Sequence, residues 1–418
     1  MPTDETTSPQ RPTGIGAVLR VTNYRLAWPA LAAAWTSRMM WIFASSYLVY
    51  ALTGSSLLSQ MVNVTFSAPQ FLLGIFSGAV VDAYDRRRTL ITIQVLMGIA
   101  TVTLAALSFT GIASAVTVLI VSLVVGLFFT IAMTWSTFTL DIVGPDRLPS
   151  AMALDNIAFT FAAIGGPLIA GRLLDMAPGD ALRGTAWVYG AIAAFFFLSA
   201  SLLFFVRKDW AQQTSPLRLS TAAGNVAQGL RVVAASSALV GVLGVTVLLN
   251  LVSPPVRTLI PAFGISVLHA GPTALGLLGA AQGIGSLVGA IFLATRGTIA
   301  RKSLFYWVGS VISTGLLAIF AAAQDYPLAF VALLASGIGN AWFGTMQSTL
   351  VLLTVRPEVR GRAMGILGMA IGAQTLGSVL LGVLGDILGP AQAVMLIAIT
   401  GTVATLAWVA VFKEMRKL

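Results

Sequence analysis

The sequence predicts an all-α integral membrane protein: twelve transmembrane helices in two pseudo-symmetric six-helix halves. Three observations carry that prediction. The composition is apolar with very few charges, the apolar residues form a train of long stretches, and the basic residues fall almost entirely on alternate connections. Only 9% of the 418 residues are charged and 57% are hydrophobic, with a mean hydropathy of +0.91. A soluble domain carries about 25% charged residues, so this chain lacks the charge to cover itself in water.

Residues 1–22 are polar and contain Pro2, Pro9 and Pro12, which predicts a disordered cytoplasmic N-terminus. They lack the basic start and apolar core of a signal peptide. Residues 23–206 hold six predicted spans: Ala27–Leu52, Leu57–Val81, Thr89–Phe109, Ala113–Leu140, Ala151–Leu174 and Thr185–Val206. Residues 237–418 hold six more: Leu239–Phe263, Thr273–Ala294, Leu304–Ala323, Leu328–Thr354, Ala363–Leu384 and Ala391–Phe412. Each suffices to cross a hydrocarbon core of about 30 Å as a helix, and none alternates as a barrel strand does. Residues 207–236 form a polar gap. Leu219, Val226, Leu230 and Val233 recur there at helical spacing, which predicts an amphipathic helix on the cytoplasmic surface.

Of the 24 Lys and Arg residues, 20 fall on the side that holds both termini and the 207–236 segment. Only Arg172 and Arg183 fall on the other side, and Arg38 and Arg257 lie inside spans. The positive-inside rule then places both termini in the cytoplasm and the chain in the cell (inner or plasma) membrane. The same distribution accounts for the net charge of +10 without a nucleic-acid partner. There is no cysteine and one histidine, His269. Disulfides and thiol chemistry are excluded, and neither a metal nor a cofactor is expected. No phosphate loop is present to drive the protein directly with ATP, and an enzyme is not expected.

The halves repeat. Gly78–Ala79, Gly166, Gly171 and Asp175 recur as Gly289–Ala290, Gly377, Gly382 and Asp386, an offset of 211. Ser136–Thr137, Pro145 and Ala151–Met152 recur at 212 as Ser348–Thr349, Pro357 and Ala363–Met364. Parallel six-helix repeats of this kind are a transporter architecture with the substrate site between the halves near the bilayer midplane.

After the second span the chain reads Gly78, Asp82, Asp85, Arg86, Arg87 and Arg88 at spacings that resemble the Gly-x-x-x-Asp-Arg-x-Gly-Arg-Arg loop of the major facilitator superfamily. Gly78, Asp82, Arg86 and Arg87 match; Ala83 and Asp85 replace the usual Arg and Gly. The resemblance implies that Asp82 faces the N-terminal end of the eleventh helix as a conformational latch, with the arginines bridging carboxylates; the alternative is a solvated cap within a positive-inside cluster. Leu293 stands at the equivalent of Asp82 in the second half, so a latch would be one-sided. In the fifth span Gly165, Gly166, Pro167 and Gly171 resemble the Gly-Pro-x-x-Gly-Gly motif of superfamily exporters, with Ala170 in place of one Gly. Gly166, Pro167 and Gly171 then mark either an exporter-type helix or a packing seam. Asn23–Leu26, Leu48–Ser55, Leu259–Pro261, Ala274–Ala280 and Gly283–Gly285 extend the resemblance over nearly the whole chain, toward the enterobactin-exporter and macrolide-efflux branch.

Polar residues inside spans are costly and mark function. Arg38, near mid-depth of the first span, is a candidate for the substrate cavity, where it would bind an anionic group; otherwise it is a structural arginine paired to carbonyls or a carboxylate. Arg257, near the end of the seventh span, reads as snorkelling or lining the outer mouth. Asn250, Gln282, Asn340 and Gln374 are further cavity candidates, or bridge helices. Asp155 is the candidate coupling acid, or an acid stabilised at a helix N-terminus. The expectation is proton-coupled export of a small amphipathic compound (drug, siderophore or other metabolite) by alternating access. An uptake symporter or uniporter, or a non-transporting receptor or scaffold, are the alternatives.

Overall fold

A computed structural model describes residues 14–83, 85–132, 135–207, 231, 233–234, 236–296, 301–356 and 359–418. For residues 71–83, 132, 361 and 362 the description stops at the backbone. After a short helix at Ile15–Leu19 come the spans α1 (Thr22–Thr53), α2 (Ser56–Ala83) and α3 (Arg86–Phe109). Next, α4 runs as two segments, Ala115–Ala132 and Trp135–Val143, before α5 (Leu148–Leu174) and α6 (Ala181–Phe204). The second half holds α7 (Ser237–Ser266), α8 (Pro272–Thr295), α9 (Lys302–Ala322), α10 (Tyr326–Thr354), α11 (Arg360–Gly372 and Gln374–Leu388) and α12 (Pro390–Val411). The fold is the expected twelve-helix one. Ten of these segments are both long and apolar enough to cross a membrane. The other two, α1 and α2, are 32 and 28 residues long and carry Ser37, Ser45, Gln60 and Asn63 buried along their length. The first thirteen residues and the predicted linker helix at Leu219, Val226 and Leu230 lie outside the described residues.

One span differs from the continuous helices the sequence predicts. The ladder of α11 breaks at Ala373, directly after a run that includes Gly365, Gly368 and Gly372 and directly before Gln374. Glycine weakens a helix interior by roughly 1 kcal/mol relative to alanine, and the break falls where three of them crowd one stretch. In α7, by contrast, Pro254, Pro255 and Pro261 sit inside an unbroken helix. A membrane helix tolerates proline because its surroundings can satisfy the freed carbonyls, here those of Asn250, Leu251 and Arg257; separately, the Gln60 amide of α2 donates to the Pro255 carbonyl at 2.8 Å.

Helices α1–α6 enclose a large apolar core, centred on Trp41, Phe66, Phe138, Tyr189 and Phe196, and a small one that joins Tyr24, Val143, Ala151 and Leu154 to Val18 of the short first helix. Helices α7–α12 enclose two, one around Phe263 and Phe320 and one around Tyr306 and Phe343. The halves meet through α5 against α8, α2 against α11, and α7 against α1 and α2. Lipid tails give no hydrophobic drive for helix association, so close backbone contact takes its place. A Cβ on Gly171 would lie 2.6 Å from the Pro272 carbonyl oxygen, one on Gly276 2.5 Å from that of Pro167, and one on Gly382 2.8 Å from the Leu57 Cα.

Candidate functional site: a cavity between the halves

The two halves are bonded together at one end, the end of the α1–α2 and α7–α8 turns. Asp386, near the C-terminal end of α11, accepts from the Ser55 hydroxyl at 2.8 Å and from the backbone N–H groups of Ser56 and Leu57 at 2.5 and 3.2 Å. Those donors are the unpaired N–H groups that every helix start leaves over, so a carboxylate from one half caps α2 in the other. Asp175, at the C-terminal end of α5, does the same for α8: it accepts from the Thr273 backbone N–H at 3.1 Å and from the Thr273 hydroxyl. The caps are equivalent by position, since Asp175 and Asp386 are the repeat pair found in the sequence. About two turns deeper, the Asn63 amide donates to the Ser378 hydroxyl at 3.0 Å. Among the described residues, the hydrogen bonds between the halves fall within this region of α2, α5, α7, α8 and α11.

Beyond this closed end lies a cavity of about 510 Å³, within the roughly 300–1,000 Å³ typical of small-molecule sites. It is walled by α1, α5, α7, α8 and α10, hence by both halves. Most of the wall is apolar or small, including Met39, Phe43, Phe159 and Pro167. The polar groups on it include Asn156, Arg257, Gln282 and Asn340. Gln282 is held in place by two long contacts, donating to the Ser253 hydroxyl at 3.3 Å and the Ser336 hydroxyl at 3.4 Å. Asn156 and Ser348 lie toward the end of the cavity that faces away from the two caps.

Gln282 and Asn340 are thus brought together on the cavity wall, and three other sequence candidates are placed elsewhere. Asn250 is buried and donates to the Thr246 carbonyl one turn back at 2.9 Å. Gln374 opens the second segment of α11 at the helix break. Arg38 sits about 24 Å along α1, near its middle, but is not among the residues that line the cavity. Its guanidinium carbon stands 5.2, 5.4 and 4.7 Å from the ring centroids of Trp35, Phe66 and Phe129. Its Nε is buried without a hydrogen-bond partner. Among the described residues neither a carboxylate nor a set of carbonyls holds it; the faces of three aromatic rings, each carrying a negative quadrupole, do.

The opposite end has its own polar structure. Arg86 pairs with Asp141 through two bonds of 2.8 and 2.6 Å, tying α3 to α4. Arg87 donates from Nε to the Leu203 carbonyl at 3.0 Å and also reaches the Phe204 carbonyl, where α6 leaves unpaired acceptors. These contacts of both arginines fall within the first half. Gly78 and Asp82 lie on the helical backbone near the end of α2, and their side-chain surroundings are outside the described residues. Gly166 packs on α1, where a Cβ would come 2.5 Å from that of Met39. Gly171 packs on α8, and Pro167 between them lines the cavity. Asp155, next to the cavity-lining Asn156, accepts from the Tyr24 hydroxyl at 2.9 Å and the Thr139 hydroxyl at 3.2 Å. It is a junction of α1, α4 and α5.

Sequence reasoning missed the position of Arg257 and the capping roles of Asp175 and Asp386. Arg257 belongs on the cavity wall, about 13 Å from the end of α7, not at an outer mouth. The two caps left a usable signal: both carboxylates close glycine-rich helices at the same repeat offset.

Comparison with known proteins agrees with this architecture. The family model described as transmembrane secretion effector matches residues 13–417. The enterobactin exporter EntS of Citrobacter koseri is 25% identical over 332 residues, covering 79% of this chain and 77% of that one. The multidrug efflux pump Tap of Mycolicibacterium fortuitum is 28% identical over 362 residues, covering 83% and 85%. Among solved structures, a bacterial homologue of the iron transporter ferroportin in an inward-facing state superposes with a TM-score of 0.72 at 15% identity, over 94% of this chain and 99% of that one. The nucleoside transporter NupG (D323A mutant) gives 0.69 at 13% identity, over 93% and 99%. The chain is a multi-pass membrane transporter, not an enzyme, and belongs to the transmembrane secretion effector family of the major facilitator superfamily.

Proposed function

We propose that the protein exports a small amphipathic compound from the cell by alternating access, coupled to proton entry. The cavity carries this reading: it is shared by both halves, mostly apolar, sized for a drug-like molecule and sealed at one end by two carboxylate caps. By the distribution of basic residues the sealed end faces outward, so the molecule is inward-facing and positioned to take cargo from the cytoplasm or inner leaflet. Relatives that bear the names enterobactin exporter and multidrug efflux pump support the outward direction. Rocking of residues 23–206 against residues 237–418 would break the caps and expose the cavity to the other side. Asp82 is proposed as the latch of the inner side in the outward-facing state, acting on the N-terminal end of α11.

Asp155 is the proposed proton acceptor. The Tyr24 and Thr139 hydroxyls each donate to one of its oxygens, so lone pairs remain on which a proton can bind, and neutralising the carboxylate weakens both bonds. Protonation would therefore loosen a junction of three helices beside the cavity. The test is accumulation of a lipophilic fluorescent tracer in cells or vesicles with and without a proton gradient. Export lowers accumulation only while the gradient stands, and Asp155→Asn removes the dependence on the gradient. Accumulation that rises with the protein, or export untouched by collapsing the gradient, overturns the reading.

A further inference from the structure

We propose that Arg257 is an anion-recognition site, and that the preferred cargo carries a carboxylate or a comparable planar oxyanion on an apolar body. The inference rests on the export reading and narrows it to a substrate class. Arg257 is the one charged side chain among the described residues that line the cavity. It makes no hydrogen bond and no ion pair with any described residue. Among the carboxylates with described side chains, those of the surrounding helices are engaged elsewhere: Asp155 by Tyr24 and Thr139, Asp175 by Thr273, Asp386 by Ser55 to Leu57, and Asp141 by Arg86. Arg38 has an aromatic cage to offset its burial; Arg257 has only the cavity.

A guanidinium inside a membrane must be compensated, and here the compensation has to come from whatever fills the space. Arg257 is fixed on a continuous helix rather than a loop. It presents a planar fork of donors that matches a carboxylate with two parallel bonds. Gln282 and Asn340 add neutral hydrogen-bonding groups on the same wall, while Met39, Phe43 and Phe159 offer apolar surface to the rest of the ligand. The arrangement of a few polar groups in an apolar pocket is how small-molecule sites set orientation and selectivity.

The test uses the full-length protein in lipid nanodiscs with two fluorescent probes that share one apolar body, 1-pyrenebutyrate and 1-pyrenebutanol, each corrected against empty nanodiscs. Wild type is expected to bind the carboxylate at least tenfold more tightly than the alcohol. Arg257→Met should bring the carboxylate down to the level of the alcohol and leave alcohol binding within twofold, which also verifies that the variant is folded. Arg257→Lys should keep part of the preference, having the charge without the fork. Arg38→Met should keep the whole of it. Equal binding of both probes by wild type, or a preference that survives in Arg257→Met, overturns the anion site and leaves the export reading standing. Failure of wild type to bind either probe overturns both.

Discussion

If the twin caps hold the closed end together, removing them should open it. Asp386→Ala deletes the acceptor of three hydrogen bonds, and Asp175→Ala the acceptor of two. A hydrogen bond to a charged group contributes about 1.5–3 kcal/mol where it is shielded. Ser55, Leu57 and Thr273 make these bonds in exposed positions, and the freed N–H groups can turn to water. About 1.5 kcal/mol per cap is therefore the appropriate scale, roughly a tenfold shift in the equilibrium between closed and open ends. The caps share no partner, so the double variant should add to about 3 kcal/mol, a hundredfold shift. A wild-type ratio of 99:1 would become about 10:1 in either single variant and near 1:1 in the double. With no native cysteine, spin labels can be placed cleanly at Ile112 and Gln324, in exposed turns of opposite halves at this end. Electron–electron distance distributions should show a longer population that is minor in each single variant and comparable to the short one in the double. A double variant whose distribution overlays that of wild type refutes the reasoning.

Three further outcomes follow from the packing. Gly171→Val puts a side chain against the Pro272 carbonyl and Gly276; the same labels should report a permanently widened end and transport should be lost while the protein still inserts. Asp141→Leu removes from Arg86, only 13% exposed, the two bonds to that carboxylate and should cost about 1.5–3 kcal/mol in thermal unfolding, most of it recovered by adding Arg86→Met. The cage around Arg38 should appear in a double-mutant cycle: Phe129→Leu destabilises by about 1–2 kcal/mol more in wild type than in an Arg38→Met background. Equal losses in the two backgrounds would mean the ring packs there without sensing the charge.

The apolar stretches made the helices and their order legible, because length and hydropathy are local properties that the bilayer reads directly. Gln282 and Asn340 were legible as cavity candidates by the same logic of polar groups at mid-span. Arg257 was misplaced because Pro254, Pro255 and Pro261 read as the approach to a helix end. In the folded chain α7 runs on unbroken to Ser266, through all three prolines. Arg38 does lie near the middle of α1, but its surroundings were not legible. Of the three rings that face it, only Trp35 is near in sequence; Phe66 and Phe129 arrive from α2 and α4. Contacts of that kind are set by how helices are rotated against one another, and a pattern along one strand of text does not record rotation.

The caps have a consequence for how such a protein is assembled. Asp175 reaches from the first half to the start of α8, and Asp386 from the second half to the start of α2, so the interface is isologous: each half presents the same donor site and the same acceptor to the other. One carboxylate position and one helix start, written into a single half, would close this end twice in a dimer of two identical halves related by a two-fold axis. In the fused chain the two copies are free to diverge. Three bonds now converge on Asp386 and two on Asp175, so the strength of each cap can be tuned independently without redesigning the other.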